Sequence, residues 1–583
     1  MFSDAPNINA LWSNLVVEEL ARLDIDYFCV SPGSRSTPLT LAVANHPKAK
    51  SIICLDERGA AFHALGYARA TGKPAALICT SGTAVANYYL AIVEASVDCV
   101  PMLILSADRP PELRETGANQ TIRQQHIFGD YVRWFFDMPC PDTEIPAEMV
   151  LTTIDQAVYR ATRSPAGPVH LNFMFREPLG PVPSGENFGD YLASIQNWQK
   201  KSEPLTQYFF PSMAVPDEAL AKTSEMLSDR QGLLIVGQLR SVDEREAVQR
   251  LVQKLSWIVF ADITSGLRLG STIGTSIDAY DFLLRSEKIF SQFQPEVVLQ
   301  VGSRITSKRL RQFLKKLQPS SYVLIANHPY RHDPGHHVSM RLEADIPAAC
   351  DVLAFMLSKN TGMTYFTELK NADLKARKIL HDSFFNETKN SEPAVAYLVS
   401  NYVPPETGLF LASSMPVRDM GMFASVEGHA VPVAANRGAS GIDGTIASAA
   451  GFSAGLQKPA TLLIGDLAFL HDLNSLAQLQ SLDKPLVIVL LNNNGGGIFS
   501  FLPVAAFPAH FEKYFGTPHG YTFKSAADLF GLAYNNPQTM TEFIKSYQGA
   551  FKQKKSTIIE VMTDREENLA LHRSLEELIL NNL

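Results

Sequence analysis

Asp466 and Asn493 stand 27 residues apart, each at the end of an apolar run, Thr461–Ile464 and Pro485–Leu491. A carboxylate, a carboxamide oxygen and a backbone carbonyl from the turn at Gly495 are hard donors, and diphosphate oxygens plus water would complete an octahedron around Mg²⁺. The glycines after Asn494 let backbone approach phosphate closely. Between the two runs lies a helical stretch of about a dozen residues. A right-handed strand–helix–strand crossover in a parallel sheet brings both carboxyl-terminal strand ends to one edge, where open α/β sheets bind their ligands. Taken singly, Gly465-Asp466 is also an ordinary strand end and Asn493-Asn494-Gly495 an ordinary turn. It is their spacing that joins them.

A second acidic position comes directly after the run Ser51–Leu55, where Asp56-Glu57-Arg58-Gly59 opens a helical stretch through Ala70. Asp56 suits an N-cap and Glu57 a first-turn acid facing the helix dipole. Buried instead, Glu57 would have a raised pKa and a proton to hold or pass on.

The elements that must position these residues alternate along the chain. Tyr27–Val30, Ser51–Leu55, Ala75–Cys79, Met102–Ser106 and Val169–Phe173 read as strands separated by amphipathic helices, the pattern of a doubly wound parallel sheet. A polar stretch from Pro181 to about Pro216 reads as a linker. Strands recur at Leu233–Val236, Trp257–Phe260, Val297–Val301 and Tyr322–Ala326. After a charged helical segment over 364–388, they recur again at Gly408–Ala412, Val431–Ala434, Thr461–Ile464, Leu486–Leu491 and Thr557–Val561.

At 583 residues and 46% apolar composition, the chain has material for several cores. It lacks a membrane-length apolar run and a signal-peptide amino terminus, so a cytoplasmic protein with no membrane span is expected. The formal charge of −8 argues against nucleic acid as a partner. Six cysteines without CxxC spacing read as buried free thiols. His328, His332, His336 and His337 suggest zinc by type, but Pro329, Pro334 and Gly335 break any helix that could align them, and the reading is rejected.

The Asp466–Asn493 spacing resembles the thiamine-diphosphate enzyme motif of Gly-Asp-Gly, about 25 residues and Asn-Asn, with Leu467 in place of the last glycine. SPGSRSTP (31–38), TSGTAVAN (80–87), ADRPPEL (107–113), GANQTIR (117–123), Ser307-Lys308-Arg309, NRGASGIDG (436–444) and NNNGGGIFSFLP (492–503) are together similar to the 2-succinyl-5-enolpyruvyl-6-hydroxy-3-cyclohexene-1-carboxylate (SEPHCHC) synthases. These are the thiamine-diphosphate enzymes of menaquinone and phylloquinone biosynthesis. The resemblance implies an α/β chain of three doubly wound parallel-sheet domains: a pyrimidine-binding domain over 1–182, a linker and central domain over 183–365, and a diphosphate-binding domain over 366–583.

It also implies thiamine diphosphate with Mg²⁺, Mn²⁺ being an alternative, held by the metal ligands Asp466, Asn493 and Gly495. Glu57 would be the catalytic acid that hydrogen-bonds the pyrimidine ring, with Thr80, Gly465, Leu467 and Ile498 also lining the cofactor. The implied substrates are 2-oxoglutarate and isochorismate, two carboxylate-rich molecules that need local cations in an acidic protein. Ser34, Arg35, Arg109, Asn119, Gln120, Lys308 and Arg309 would surround isochorismate. Ser414, Arg418 and Arg437 would face the 2-oxoglutarate-derived part, and Phe499 and Leu502 would wall the pocket. The sites would lie between subunits of a homodimer or homotetramer.

Bland readings stand beside several of these. Ser36 could be an N-cap with Pro38 in its first turn, Lys308-Arg309 a solvated helix face, and the apolar residues after the Gly turn ordinary core. Another thiamine-diphosphate carboligase, such as an acetohydroxyacid synthase, would use Glu57, Asp466 and Asn493 equally well, but has less use for so many arginines. A cofactor-free relative would have no reason to keep all three.

Overall fold

The computed structural model describes residues 2–211, 213–270, 273–358, 367–385 and 387–583. Among these, seventeen strands form three all-parallel sheets. The first contains β1 (Tyr27–Val30), β2 (Lys50–Ile53), β3 (Ala76–Cys79), β4 (Met102–Asp108), β5 (Trp134–Met138) and β6 (Pro168–Met174), in the order β2-β1-β3-β4-β6-β5. The second contains β7 (Gly232–Val236), β8 (Ile258–Ala261), β9 (Val297–Val301), β10 (Ser321–Ala326) and β11 (Met340–Glu343), in the order β11-β10-β9-β7-β8. The third contains β12 (Gly408–Leu411), β13 (Val433–Ala435), β14 (Ala460–Gly465), β15 (Leu486–Asn492), β16 (Ala533–Asn535) and β17 (Thr557–Met562), in the order β13-β12-β14-β15-β17-β16. The doubly wound α/β class expected from the alternation is the one found.

The chain folds as two compact units. One comprises Met1–Pro211, Asn436–Gln457 and His471–Lys484 and carries the first sheet. The other comprises Ser212–Ala435, Lys458–Leu470 and Pro485–Leu583 and carries the second and third. The boundary expected between 365 and 366, and the start of the charged segment at 364, lie outside the described residues. The helix observed there is Thr367–Phe385.

In the first unit, side-chain alternation along the strands feeds two cores. Phe28, Val30, Ile78, Leu103 and Leu105 pack on one face of the sheet, and Cys29, Leu77, Cys79, Met102 and Ile104 on the other. Against the second of these faces lie the helix Glu57–Thr71 and the helix Thr445–Leu456. The two helices cross with their backbones nearly touching. A Cβ on Gly66 would sit 1.9 Å from the Ser448 carbonyl oxygen, and one on Gly451 1.9 Å from that of His63, so only glycine fits at either position.

The stretch read as a linker from Pro181 is not loose where it begins. Phe188, Leu192, Ile195 and Trp198 are buried in the first core. Two buried acids strap the stretch from Trp198 to Thr206: Glu19 accepts from Trp198 Nε1 at 2.7 Å and from the Leu205 amide at 2.5 Å, and Asp155 accepts from the Thr206 amide at 2.8 Å. Burial pushes Glu19 up to about 8 and raises Asp155 as well, so this carboxyl pair holds a proton in the fold.

In the second unit, both sheets contribute to one apolar core, with Phe260, Val298 and Phe313 on one side and Leu409, Leu463 and Val489 on the other. No described helix is long and apolar enough to cross a membrane. All six cysteines are buried free thiols.

Candidate active site

In the second unit the site is built at the carboxyl edge of the third sheet. β14 and β15 run side by side, Gly465 opposite Leu491, so Asp466 and Asn493 leave the sheet as neighbours. The helical stretch expected after Asp466 is an α-helix only over Asp466–His471, followed by a 3₁₀ segment, Leu473–Ser481. Asp466 is 2% exposed. Its Oδ1 accepts from the Leu467 amide at 2.6 Å and its Oδ2 from the Gly495 amide at 2.9 Å, with His519 Nε2 3.1 Å from the same oxygen. Burial raises the Asp466 pKa, and the Gly495 and His519 contacts pull it back part of the way.

The three consecutive asparagines do different work. Asn492 donates to Glu560 at 2.6 Å and to the Tyr521 carbonyl at 2.9 Å, anchoring the turn. Asn494 adopts φ 60° and accepts from the His519 and Gly520 amides at 2.9 and 2.7 Å, which fixes the loop carrying His519. Asn493 donates from Nδ2 to Glu392 Oε1 at 2.8 Å, while its buried Oδ1 has no hydrogen-bond partner. Gly495 has φ 136°, and a Cβ there would meet the Gly516 carbonyl oxygen at 1.9 Å.

An orphaned, buried amide oxygen beside a buried carboxylate on a glycine turn fits a hard divalent cation. Among the described residues no group of three or more His, Cys, Asp or Glu side chains is placed to hold a metal ion. Ile498 and Phe499 are half-buried behind the turn, Phe499 lying 5.6 Å from the Phe515 ring, and Leu502 is exposed. Ser414 occupies the N-cap position of the helix Met415–Phe423 with φ 72° and no side-chain capping bond, and its carbonyl accepts from Arg418 Nη1.

Two further residues stand out in this unit. Glu392 is 1% exposed and pushed up to about 8 by burial and then by the neighbouring Asp419, against the lowering effect of its bonds from Asn493 and Thr563. Arg309, expected near substrate, has its guanidinium occupied. It donates to Glu576 at 2.6 Å and to the Asp281 carbonyl at 2.9 Å, while Lys308 beside it is exposed at the start of the helix Lys308–Leu317.

In the first unit the carboxyl edge of the first sheet gathers the other set. The turn after β1 packs so tightly on the end of β3 that a Cβ on Gly33 would lie 2.3 Å from that of Thr80. The Arg35 amide donates to Thr80 Oγ1 at 3.3 Å. Ser36 occupies the N-cap of the helix Thr37–Asn45 with a proline in its first turn, but its hydroxyl donates to the Gly33 carbonyl instead of capping.

The Arg35 side chain is 7% exposed; it donates to the Phe175 carbonyl at 2.9 Å and lies 3.2 Å from Glu177, and its Nε is buried without a partner. Burial and then the nearby Arg109 charge lower its pKa. Arg109 donates twice to the Asn119 carbonyl, at 3.1 and 3.0 Å, and Gln120 reaches the Ser81 carbonyl at 3.5 Å. Ser34, Arg35, Thr80, Arg109, Asn119 and Gln120 therefore sit together. Two arginines so close that the charge of Arg109 lowers the pKa of Arg35 make a local anion site in an acidic chain.

Glu57 lies at the first turn of its helix, with Asp56 as N-cap accepting from the Arg58 amide at 2.9 Å. It is half-buried, and Leu55 and Ile53 near it are 79% and 51% exposed. Arg437 is half-buried, also in the first unit, at the head of a clamped loop. The Glu94 carboxylate accepts from the amides of Gly438, Ala439 and Ser440 at 2.7, 2.6 and 3.2 Å, and is itself paired with Arg69 at 2.7 Å.

Three family models match in series. Residues 12–127 match the thiamine pyrophosphate enzyme N-terminal TPP binding domain, 189–411 the middle domain of thiamine pyrophosphate enzymes, and 424–561 the C-terminal TPP binding domain. Over 577 residues, 99% of each chain, the protein is 50% identical to the SEPHCHC synthase of Rubrobacter xylanophilus. The chain belongs to the SEPHCHC synthase family of thiamine-diphosphate-dependent enzymes. Other members of that family similar to it come from Salinibacter ruber, 47% identical over 98% of this chain and 97% of the relative, and Prosthecochloris aestuarii, 46% identical over 99% and 98%. A solved structure of a putative thiamin diphosphate-dependent enzyme from Mycobacterium smegmatis has the same fold, with a TM-score of 0.70 at 16% identity, over 95% of this chain and 99% of that one.

Sequence reasoning missed Glu392, His519 and the Glu94–Arg69 clamp. Ser391-Glu392-Pro393 reads only as a helix start, and Glu392 meets Asn493 across 101 residues of sequence. His519 belongs to no motif. Glu94 looks like one charged residue in an apolar helix, which is itself the usable signal, because a charge there must find a partner.

Proposed function

We propose that the chain condenses 2-oxoglutarate with isochorismate to give SEPHCHC and CO₂, in menaquinone or phylloquinone biosynthesis in the cytoplasm. The observation that carries the reading is the 50% identity to a SEPHCHC synthase over 99% of both chains, which takes in both sheet edges described above. Asp466, Asn493 and Gly495 would hold Mg²⁺, or Mn²⁺, which would neutralise charge on the cofactor's diphosphate. Bound thiamine diphosphate supplies the carbanion chemistry that lets the keto carbon of 2-oxoglutarate lose CO₂ and the remaining succinyl unit add in a 1,4 sense to the isochorismate ring alkene.

The chain's own residues do the rest. Glu57 holds a proton at the pyrimidine ring nitrogen. Arg35 and Arg109, with Ser34, Asn119 and Gln120, orient isochorismate through its carboxylates; Ser414, Arg418 and Arg437 serve the distal carboxylate of 2-oxoglutarate. Ile498, Phe499 and Leu502 exclude water from the reacting atoms. Lys308 remains available to a substrate carboxylate, and Arg309 helps by holding the helix start that presents it.

The deciding experiment is mass spectrometry of products formed from 2-oxoglutarate and isochorismate with thiamine diphosphate and Mg²⁺. SEPHCHC is expected; CO₂ release with no adduct, or an adduct formed from pyruvate instead, would reject the substrate assignment.

The exposed Leu55 and Ile53 next to a half-buried Glu57 support a covering surface from another subunit, in a homodimer or homotetramer with sites between subunits. Mixing inactive Glu57→Gln with inactive Asp466→Ala under subunit exchange should restore part of the activity, because one site of the hybrid is intact. No recovery despite proven exchange would assign both residues to one chain's site.

A further inference from the structure

A carboxamide has an oxygen end that binds metal and an NH₂ end that does not, so an asparagine ligand works only if something fixes which end faces the cation. We infer that Glu392 is that positioning residue for Asn493, an inference that rests on the metal-diphosphate reading of the third sheet's edge. Asn493 Nδ2 donates to Glu392 Oε1 at 2.8 Å, and the other end of the amide, Oδ1, is buried with no partner in the protein. Were the amide reversed, Oδ1 would face a carboxylate oxygen and the NH₂ would face the cation.

Glu392 Oε1 is itself held. It also accepts from Thr563 Oγ1 at 3.2 Å, and two donors converging on one oxygen keep that atom an acceptor whether the acid is ionised or neutral. The backbone sets its place: Ser391 caps the helix Glu392–Tyr402 by accepting from the Ala394 amide, with a proline in the first turn. Asp419, fully buried on the helix Met415–Phe423 and close enough to act on Glu392, has both carboxylate oxygens without a hydrogen-bond partner and His572 Nε2 3.3 Å away. Glu392 Oε1, held as an acceptor by its two donors, meets only the donor end of the Asn493 amide.

The test is Mn²⁺ binding to the full chain with thiamine diphosphate, read by electron paramagnetic resonance, together with the number of inner-sphere waters counted by ¹⁷O-water electron–nuclear double resonance. Glu392→Met keeps length but removes the acceptor. Affinity for Mn²⁺ should fall about 10- to 100-fold, and the bound ion should gain one water, the same gain as in Asn493→Ala. Glu392→Gln keeps an oxygen for Asn493 and Thr563, so affinity within about threefold of wild type and an unchanged water count are expected.

Wild-type affinity and water count in Glu392→Met would overturn the inference, as would weakened binding without the extra water, which would indicate general damage. If Glu392→Met does not fold, a tenfold loss in folded Glu392→Gln would overturn it by showing that charge, not orientation, matters. Asp466→Ala separates the two readings: if it too leaves Mn²⁺ binding intact, the metal grip is wrong, whereas lost binding there beside normal binding in Glu392→Met removes the positioning role alone.

Discussion

The first and third sheets have the same strand order and present different side chains at its carboxyl edge. β1, β2, β3 and β4 of the first occupy the places of β12, β13, β14 and β15 in the third. After β1, β3 and β4 come Arg35, Thr80 and Arg109; after β12, β14 and β15 come Ser414, Asp466 and Asn493. After β2 comes the acid Glu57, and after β13 the base Arg437. The topology decides where a side chain emerges, at the carboxyl edge beside the reversal of strand order. Residue identity decides what gathers there: Arg35 and Arg109 on the first edge, Asp466 and Asn493 on the third.

The sharpest way to break this comparison is to remove one residue from each edge. Asp466→Ala should lower kcat/KM by about 1,000-fold or more, equivalent to about 4 kcal/mol, and thiamine-diphosphate binding should become nearly independent of Mg²⁺. Glu57→Gln should bind the cofactor almost normally, while hydrogen–deuterium exchange at its reactive carbon slows by about 10²- to 10⁴-fold. Identical behaviour of the two variants in titration and exchange would mean that the edges do not divide the labour.

A smaller effect separates the arginines. Arg418→Ala should cost about 2–4 kcal/mol, roughly 30- to 1,000-fold in kcat/KM for 2-oxoglutarate, and Arg418→Lys should recover little because an ammonium lacks the fork. Arg35→Ala should spare CO₂ release from 2-oxoglutarate alone yet impair product formation once isochorismate is added. Measuring CO₂ with and without acceptor checks both, and the reverse pattern would exchange the two assignments.

An effect on stability instead of activity sharpens the comparison by taking an acid away from either edge. Glu19 and Asp155 lie on helices covering the first sheet, where their raised pKa values serve stability and not chemistry. Unfolding above the ordinary glutamate value of 4.5 releases the proton the folded pair retains. Stability should therefore be full below that pH and decline as pH rises toward about 8, with a slope of at most about 1.4 kcal/mol per unit. Denaturant unfolding at several pH values should show this decline flattened in Glu19→Gln; an unchanged slope would remove the pair from the account.

Much of the fold was legible in sequence because central parallel strands are continuous apolar runs. The expected Tyr27–Val30 and Val297–Val301 coincide with β1 and β9. The unpredicted strands β5, β11 and β16 all lie at sheet edges, and none has the continuous burial of a central strand. The nearness of Asp466 and Asn493 at one sheet edge was legible because their spacing is set by one crossover. Glu392, Asp419 and His519 were not, since they come from elements far apart in the chain and each has an ordinary local role as helix-start acid, helix residue or loop histidine.

The division of the chain has a consequence for its biosynthesis. The helix Thr445–Leu456, whose glycine lets it lie directly on the Glu57 helix, belongs to the first unit, as does the segment His471–Lys484. A ribosome that has finished residue 211 has therefore not finished that unit; its last piece is about 270 residues further on. At roughly 5–20 residues per second the nascent chain spends on the order of 15–55 s with the face around Phe62 and Gly66 uncovered. A fragment ending near Pro211 should accordingly be recovered bound to chaperones or in inclusion bodies, and the molecule is one that must be translated almost to its end before its first third is complete.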